Sequence, residues 1–255
     1  MRYLLVALWA SLCCWTNALA EARVVTLEAR PGAPFVSYYQ DRPGARANLL
    51  LLVGGAGGIG LKDGEPTSQN FLVRSRQAFA EGGFNLFLMG RPADRPDLDP
   101  AFRISADHLL DLRAAVDFLH RENGLPVWLV GTSRGTISAT AAAIDQGPRI
   151  AGLVLTASVT HFSTPGAVPT QKLEAITVPT LVVHHQQDAC RICRPHETGW
   201  IMDKLTAAPV KKLMLIGGGG EPRGDPCEAL HWHGFIGVED EVARRIDQWI
   251  VSPSP

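Results

Sequence analysis

The sequence carries almost no net charge: 24 Lys and Arg against 25 Asp and Glu give −1. No basic stripe or charge run stands out, which argues against a nucleic-acid partner or a membrane-surface role. An apolar run long enough to span a bilayer is also missing. Internal repeats, low-complexity tracts and linkers are absent, so nothing divides the 255 residues, a length one α/β domain can fill. Cysteine is scarce, at five. The apolar share, by contrast, is 46%, ample for a core.

Residues 1–20 read as a signal peptide. Arg2 supplies a short positive segment, Leu4 to Trp15 a short apolar one, and Ala18-Leu19-Ala20 a small-x-small cleavage site. The expectation is an exported chain, periplasmic or secreted, whose mature part is one domain over 21–255. Cleavage after Ala20 leaves Cys190, Cys193 and Cys227, and an oxidising compartment favours a disulfide among them.

The rest alternates strand and helix. Short strands are expected at Arg23 to Glu28 and Pro34 to Gln40, joined at Pro31-Gly32. Asn48 to Val53 is a nearly pure Leu/Val run, the mark of a strand buried on both faces of a parallel sheet. Further strands are expected at Phe84 to Met89, Val127 to Thr132, Ile150 to Leu155, Pro179 to His184 and Lys211 to Ile216. Helices are expected at Ser68 to Glu81, Ile104 to Glu122, Thr136 to Gln146, near His196 to Leu205, and Gly237 to Val251. This order implies a mostly parallel central sheet with helices on both faces.

The most informative stretch is Val127-Trp-Leu-Val-Gly131-Thr-Ser133-Arg-Gly135, a buried strand, then Gly-x-Ser-x-Gly, then an Ala-rich helix. Such a strand–turn–helix lifts a serine hydroxyl out of the backbone at a helix start, where free N–H groups suit an oxyanion. The bland alternative is a turn with Ser133 capping the helix. A serine needs a base and an orienting acid to become a nucleophile. Asp188 lies just past the Pro179 strand, and His231 and His233 lie between the last strand and the last helix. His231 competes with His233 as base, and Asp145 and Asp225 are fallback acids. A His231/His233 metal pair lacks a third ligand, so no metal or cofactor is expected. His184 and His185 are expected at a strand end beside the site, and His108, His120 and His196 on solvent-facing or capping positions.

Gly131-Thr-Ser133-Arg-Gly135, Asp188 after a strand and His233-Gly-Phe235 before the last helix together resemble the α/β-hydrolase superfamily, over roughly Arg23 to Val251. The chain order nucleophile, acid, histidine matches that family. The resemblance implies Ser133 as nucleophile, His233 as base and Asp188 as acid. It implies oxyanion donors in the Arg134 N–H and in the loop after the Leu-rich strand, at Gly55 or Ala56. The family often has His-Gly in that loop, where this chain has Val53-Gly54-Gly55. The implied activity is cleavage of an ester or related acyl bond of a small-molecule substrate through an acyl-enzyme. Peptidase, thioesterase and acyltransferase chemistry use the same triad. The segment from Ser158 to Pro179 is too short for a large lid domain. The site is therefore expected to be open, or covered by that loop and the Arg91 to Pro100 loop. The Arg134 side chain is expected to pair with a nearby carboxylate.

Two rival classes remain in view. Gly55 to Gly60 also spells G-x-G-x-x-G, the dinucleotide-binding pattern. Against it, Lys62-Asp-Gly-Glu-Pro66 follows instead of a helix, and the next strand ends without an acidic residue. The other rival is a binding module of hydrolase fold without chemistry. If Asp188 and His233 converge, Cys190 and Cys227 come near enough to bond, with Cys193 as rival partner. A Cys190/Cys193 redox pair activated by Arg191 and Arg194 is a further reading.

Overall fold

The computed structural model describes residues 21–255, so the expected signal peptide lies outside the described residues. Among the described residues ten strands form: β1 (Glu21–Leu27), β2 (Phe35–Asp41), β3 (Ala47–Leu52), β4 (Leu61–Lys62), β5 (Glu65–Pro66), β6 (Phe84–Leu88), β7 (Val127–Thr132), β8 (Gly152–Thr156), β9 (Thr180–His185) and β10 (Lys211–Ile216). The helices are α1 (Phe71–Arg74), α2 (Arg76–Glu81), α3 (Ala106–Asn123), α4 (Gly135–Gln146), α5 (Gly199–Lys204) and α6 (Glu239–Val251). Eight strands make one sheet in the order β1-β2-β6-β3-β7-β8-β9-β10, while β4 and β5 form a separate small hairpin. β1, β2 and β6 pair antiparallel, and the pairs from β6 through β3, β7, β8 and β9 to β10 are parallel.

The Leu-rich run of β3 shows why this sheet is covered on both faces. Leu49 and Leu51 pack into one layer with Phe71, Phe79 and Trp249 of α1, α2 and α6. Leu50 and Leu52 pack into the other with Leu112, Ala139 and Ile201 of α3, α4 and α5. Alternation along a strand sends successive side chains to opposite faces. Each fully buried Leu contributes about 2 kcal/mol of transfer free energy.

Three expectations need correction. The helix expected from Ser68 to Glu81 is two short helices meeting at Ser75, whose backbone (φ −89, ψ 6) departs from the helix. The break lets Phe71 and Phe79 meet edge to face in the core, 6.3 Å apart. The helix expected near His196 to Leu205 reduces to a 3₁₀ turn, Pro195–Glu197, and the short α5. His108 does not face solvent. It is buried at the start of α3, with Nε2 2.9 Å from Ser138 Oγ. Burial, with the Arg103 charge adding to it, pushes its pKa down to about 3 and keeps it neutral.

The glycines of Gly55 to Gly60 lead into the β4–β5 hairpin rather than a helix. Without a helix N-terminus behind them they offer no dinucleotide phosphate site of the G-x-G-x-x-G kind. No helix among the described residues is long and apolar enough to cross a membrane.

Candidate active site

Parallel strands gather their carboxyl ends, and the loops that leave them, at one edge of the sheet. β7 ends there on Thr132, and the next residue, Ser133, sits at φ +52, a left-handed conformation rare outside glycine. The turn is pinned on both sides. Ser133 N–H donates to Thr156 O of β8 at 3.0 Å, and its own carbonyl accepts from Thr136 N–H at 2.9 Å. The flanking glycines are sterically required. A Cβ on Gly135 would lie 1.9 Å from Leu52 O, and one on Gly131 would lie 2.6 Å from Gly135 O. Strain stored in this way is common where a side chain must be presented for function.

β3 pairs with β7 with Leu52 opposite Gly131, so the loop leaving β3 runs beside Ser133. Gly54 packs against the serine so closely that a Cβ there would fall 2.8 Å from Ser133 Cβ. The carbonyls of Val53 to Ala56 are all engaged. Gly54 O accepts from Gly57 N–H at 3.0 Å, and Ala56 O from Leu98 N–H at 3.1 Å. Val53 O and Gly55 O accept from Arg103 Nη2 at 3.3 and 3.1 Å. None of the backbone bonds around the site uses the N–H of Gly55, Ala56 or Arg134. A loop with committed carbonyls and uncommitted N–H groups is suited to an anion.

Asp188 follows β9 and is buried, with Oδ1 accepting the Cys190 N–H at 2.9 Å. His233 lies in a 3₁₀ turn, Trp232–Gly234, ahead of α6, and its Nδ1–H donates to Asp188 Oδ2 at 2.8 Å. That bond fixes the tautomer and turns Nε2 away from the acid. Nε2 is buried and has no hydrogen-bond partner. Ser133, His233, Gly54, Gly55 and Ala56 line one cavity of about 310 Å³. His231, the competing base, does not reach Asp188; its ring meets Trp232 edge-on at 5.4 Å. Asp145 is bound by Arg113, and Asp225 by the backbone N–H of Cys227, so neither serves a histidine.

Arg134 pairs with Asp97 at 3.7 Å, as expected for a structural partner. His184 and His185 end β9 and are fully buried. His184 stands 4.0 Å from Asp188, and burial lowers its pKa to about 4, so it stays neutral. His185 Nε2–H donates to Gly218 O at 2.9 Å and the ring stacks on Trp232, joining the acid loop to the histidine loop. The Cys190–Cys227 disulfide is present and joins the same two loops. Cys193 is buried and free. Cys190 is bonded to Cys227 and not to Cys193, and burial pushes the Cys193 thiol pKa well up, so the redox reading in which Arg191 and Arg194 activate a Cys190/Cys193 pair does not hold. Of the two covering loops, Arg91 reaches the cavity lining, whereas the segment from Ser158 to Pro179 does not.

Two residues that hold the loops around this cavity carry no signal in the sequence. Arg103 is buried and gathers Leu98 O, Val53 O, Gly55 O and Ser138 Oγ on one guanidinium. Burial lowers its pKa to about 9, which leaves it cationic at neutral pH. Arg74 does the same for the histidine loop, donating to Ala229 O at 3.0 Å and Gly234 O at 2.9 Å. Backbone carbonyls have no sequence signature, so neither arginine could be picked out beforehand.

No protein-family model and no curated protein sequence matches the chain. Solved structures do. An esterase from Pyrococcus furiosus superposes with a TM-score of 0.66 at 12% identity, covering 91% of each chain. A dienelactone hydrolase from Anabaena variabilis gives 0.65 at 16% identity, over 91% of this chain and 97% of that one. An alpha-beta serine hydrolase homologue from Coxiella burnetii gives 0.63 at 16%, over 88% and 96%. At such identities the likeness speaks for the fold alone, and the fold of this chain is that of the α/β hydrolases.

Proposed function

We propose that the chain is an exported serine hydrolase that cleaves an ester of a small acyl group, with Ser133 as nucleophile, His233 as base and Asp188 as orienting acid. The observation that carries the reading is the Asp188–His233 bond at 2.8 Å, made on the wall of the cavity that Ser133 also lines. The serine, esterase and hydrolase names of the structural neighbours agree with it.

Ser133 Oγ attacks the substrate carbonyl while His233 Nε2 takes its proton. Asp188 stabilises the imidazolium that forms and stays ionised itself. The negative oxygen of the tetrahedral intermediate is held by the Arg134 N–H and by the N–H of Gly55 or Ala56. Two such donors aimed at the developing charge are worth several kcal/mol, because their orientation is prepaid by folding. Collapse returns the proton from His233 to the departing alcohol and leaves an acyl-serine. Water, deprotonated by His233, then releases the acid and restores the serine. The cavity volume of about 310 Å³ lies at the small end of ligand sites, which favours short acyl chains.

A fluorophosphonate probe, followed by esters of graded acyl length, tests the reading. Labelling and hydrolysis should both vanish in Ser133→Ala with the fold retained. His233→Ala should lose nearly as much and Asp188→Asn somewhat less, since the three act as a unit. An unlabelled wild type would favour a binding module, and full activity in Ser133→Ala would end the proposal.

A further inference from the structure

A second set of reactive groups crowds the same histidine. Cys190 Sγ, Cys193 Sγ and a ring nitrogen of His233 all lie within 4.8 Å of one another and are buried. Cys227 Sγ is bonded to Cys190. Asp188 takes His233 Nδ1, and the buried Nε2 has no hydrogen-bond partner. Two sulfurs and one imidazole therefore lie together, and the Cys190–Cys227 bond ties a third sulfur to them, in the chain order Cys190-x-x-Cys193, then Cys227, then His233. Cys₃His with a C-x₂-C pair is a tetrahedral zinc set. A carboxylate on the far nitrogen of the histidine is the usual support for a metal-bound imidazole.

With the disulfide closed, the set is incomplete. Cys190 and Cys227 spend their sulfurs on each other, leaving a thiol and an imidazole. We propose that a thiol or phosphine reductant, by opening the Cys190–Cys227 bond, creates a site for one soft divalent cation such as Zn²⁺ on Cys190, Cys193, Cys227 and His233. Two electrons and two protons open the disulfide, and the reductant is oxidised correspondingly. The cation then displaces three thiol protons to solvent and binds three thiolates and one neutral imidazole. Zn–S bonds of about 2.3 Å in a tetrahedron set sulfurs about 3.8 Å apart. Once the bond is open, the Cys190 and Cys227 side chains must turn to bring their sulfurs to that spacing. The metal overcomes the reluctance of the buried Cys193 to ionise, since a coordinated thiol is deprotonated outright. A cation there takes the nitrogen that the proposed hydrolase needs as base, so the metal form is inactive. The loss of activity rests on the proposed function; the metal site does not.

The test uses the full chain, reduced with a trialkylphosphine under anaerobic conditions, desalted and titrated with Zn²⁺ or Co²⁺. Reduced protein should retain one metal per chain and disulfide-bonded protein none. The cobalt form should show thiolate-to-cobalt charge transfer and intense tetrahedral d–d bands. Zn²⁺ should raise the thermal midpoint of the reduced chain, because it binds only the folded state. Fluorophosphonate labelling of reduced protein should fall at least about tenfold with Zn²⁺. It should recover with EDTA while the thiols stay reduced. Cys193→Ala should weaken metal binding at least about tenfold, the scale of losing part of a metal's support. Metal-free reduced protein, a reduced chain with no folded state for zinc to stabilise, or undiminished binding by Cys193→Ala would each overturn the site. Stoichiometric metal with full labelling would overturn His233 as a ligand. Disulfide-bonded protein that never labels would instead remove the hydrolase reading and leave the metal stoichiometry to judge the site.

Discussion

Asp247 offers a sharp thermodynamic test of the packing between α2 and α6. Its side chain lies on the inner side of α6 at 5% exposure, and neither carboxylate oxygen has a hydrogen-bond partner. It packs on Gly82, where an added Cβ would fall 2.1 Å from Oδ2. Gly82 caps the carboxyl end of α2, the negative pole of that helix. Burial raises the Asp247 pKa from 3.8 to about 8. The folded protein therefore binds a proton between about pH 4 and pH 8 that the unfolded chain releases. Stability must fall as pH rises through that window, by up to about 1.36 kcal/mol per pH unit, and level off above it. Across the whole window the limit is about 5–6 kcal/mol. Arg46 and Arg244 line the adjoining cavity, and a turn of the carboxylate toward them would reduce the loss to roughly half, about 2–3 kcal/mol. Asp247→Asn removes the ionisation at nearly constant volume. Urea unfolding at intervals from about pH 5 to about pH 8 should show the variant gaining steadily on the wild type. The gap should be small at the acid end and about 2–3 kcal/mol or more at the basic end. A gap of the same size at every pH would refute a protonated Asp247.

Three other outcomes are expected, two from the structure and one from the sequence. Cys227→Ala opens a disulfide spanning 37 residues, and the chemical denaturation midpoint should report a loss of about 2–4 kcal/mol. Because that bond joins the acid and histidine loops, ester turnover should fall with it; unchanged turnover would make the tether purely structural. Arg103→Lys keeps a charge but cannot reach four acceptors, so kcat should drop about 10–100-fold, short of the cost of deleting an oxyanion donor. KM should move far less, and a change in KM alone would remove Arg103 from positioning the glycine loop. Intact mass of protein from the producing cell should begin at Glu21, and a retained Met1 would end the proposed export.

The sequence by itself determined the alternation of strands and helices, because a Leu/Val run such as 48–53 has one low-energy use, a strand covered on both faces. It also determined the serine turn. A strand followed by Gly-Thr-Ser-Arg-Gly leaves room at Gly131 and Gly135 for Gly135 O and Leu52 O, where any side chain would clash. The positions of Asp188 and His233 after strands were legible for the same topological reason. Tertiary structure decided the rest. His233 rather than His231 meets Asp188 because the backbone turn at Trp232–Gly234 aims one ring and not the other. His108 goes inside because α3 starts against Ser138 of α4, which a helical periodicity within α3 cannot register. Ser75 breaks a helix that the local pattern supports, so that two phenylalanines can meet in the core. Arg103 and Arg74 hold carbonyls distant in sequence, and every residue type has a carbonyl. Local sequence encodes periodicity and turn sterics; which polar group meets which is fixed only when the sheet closes around them.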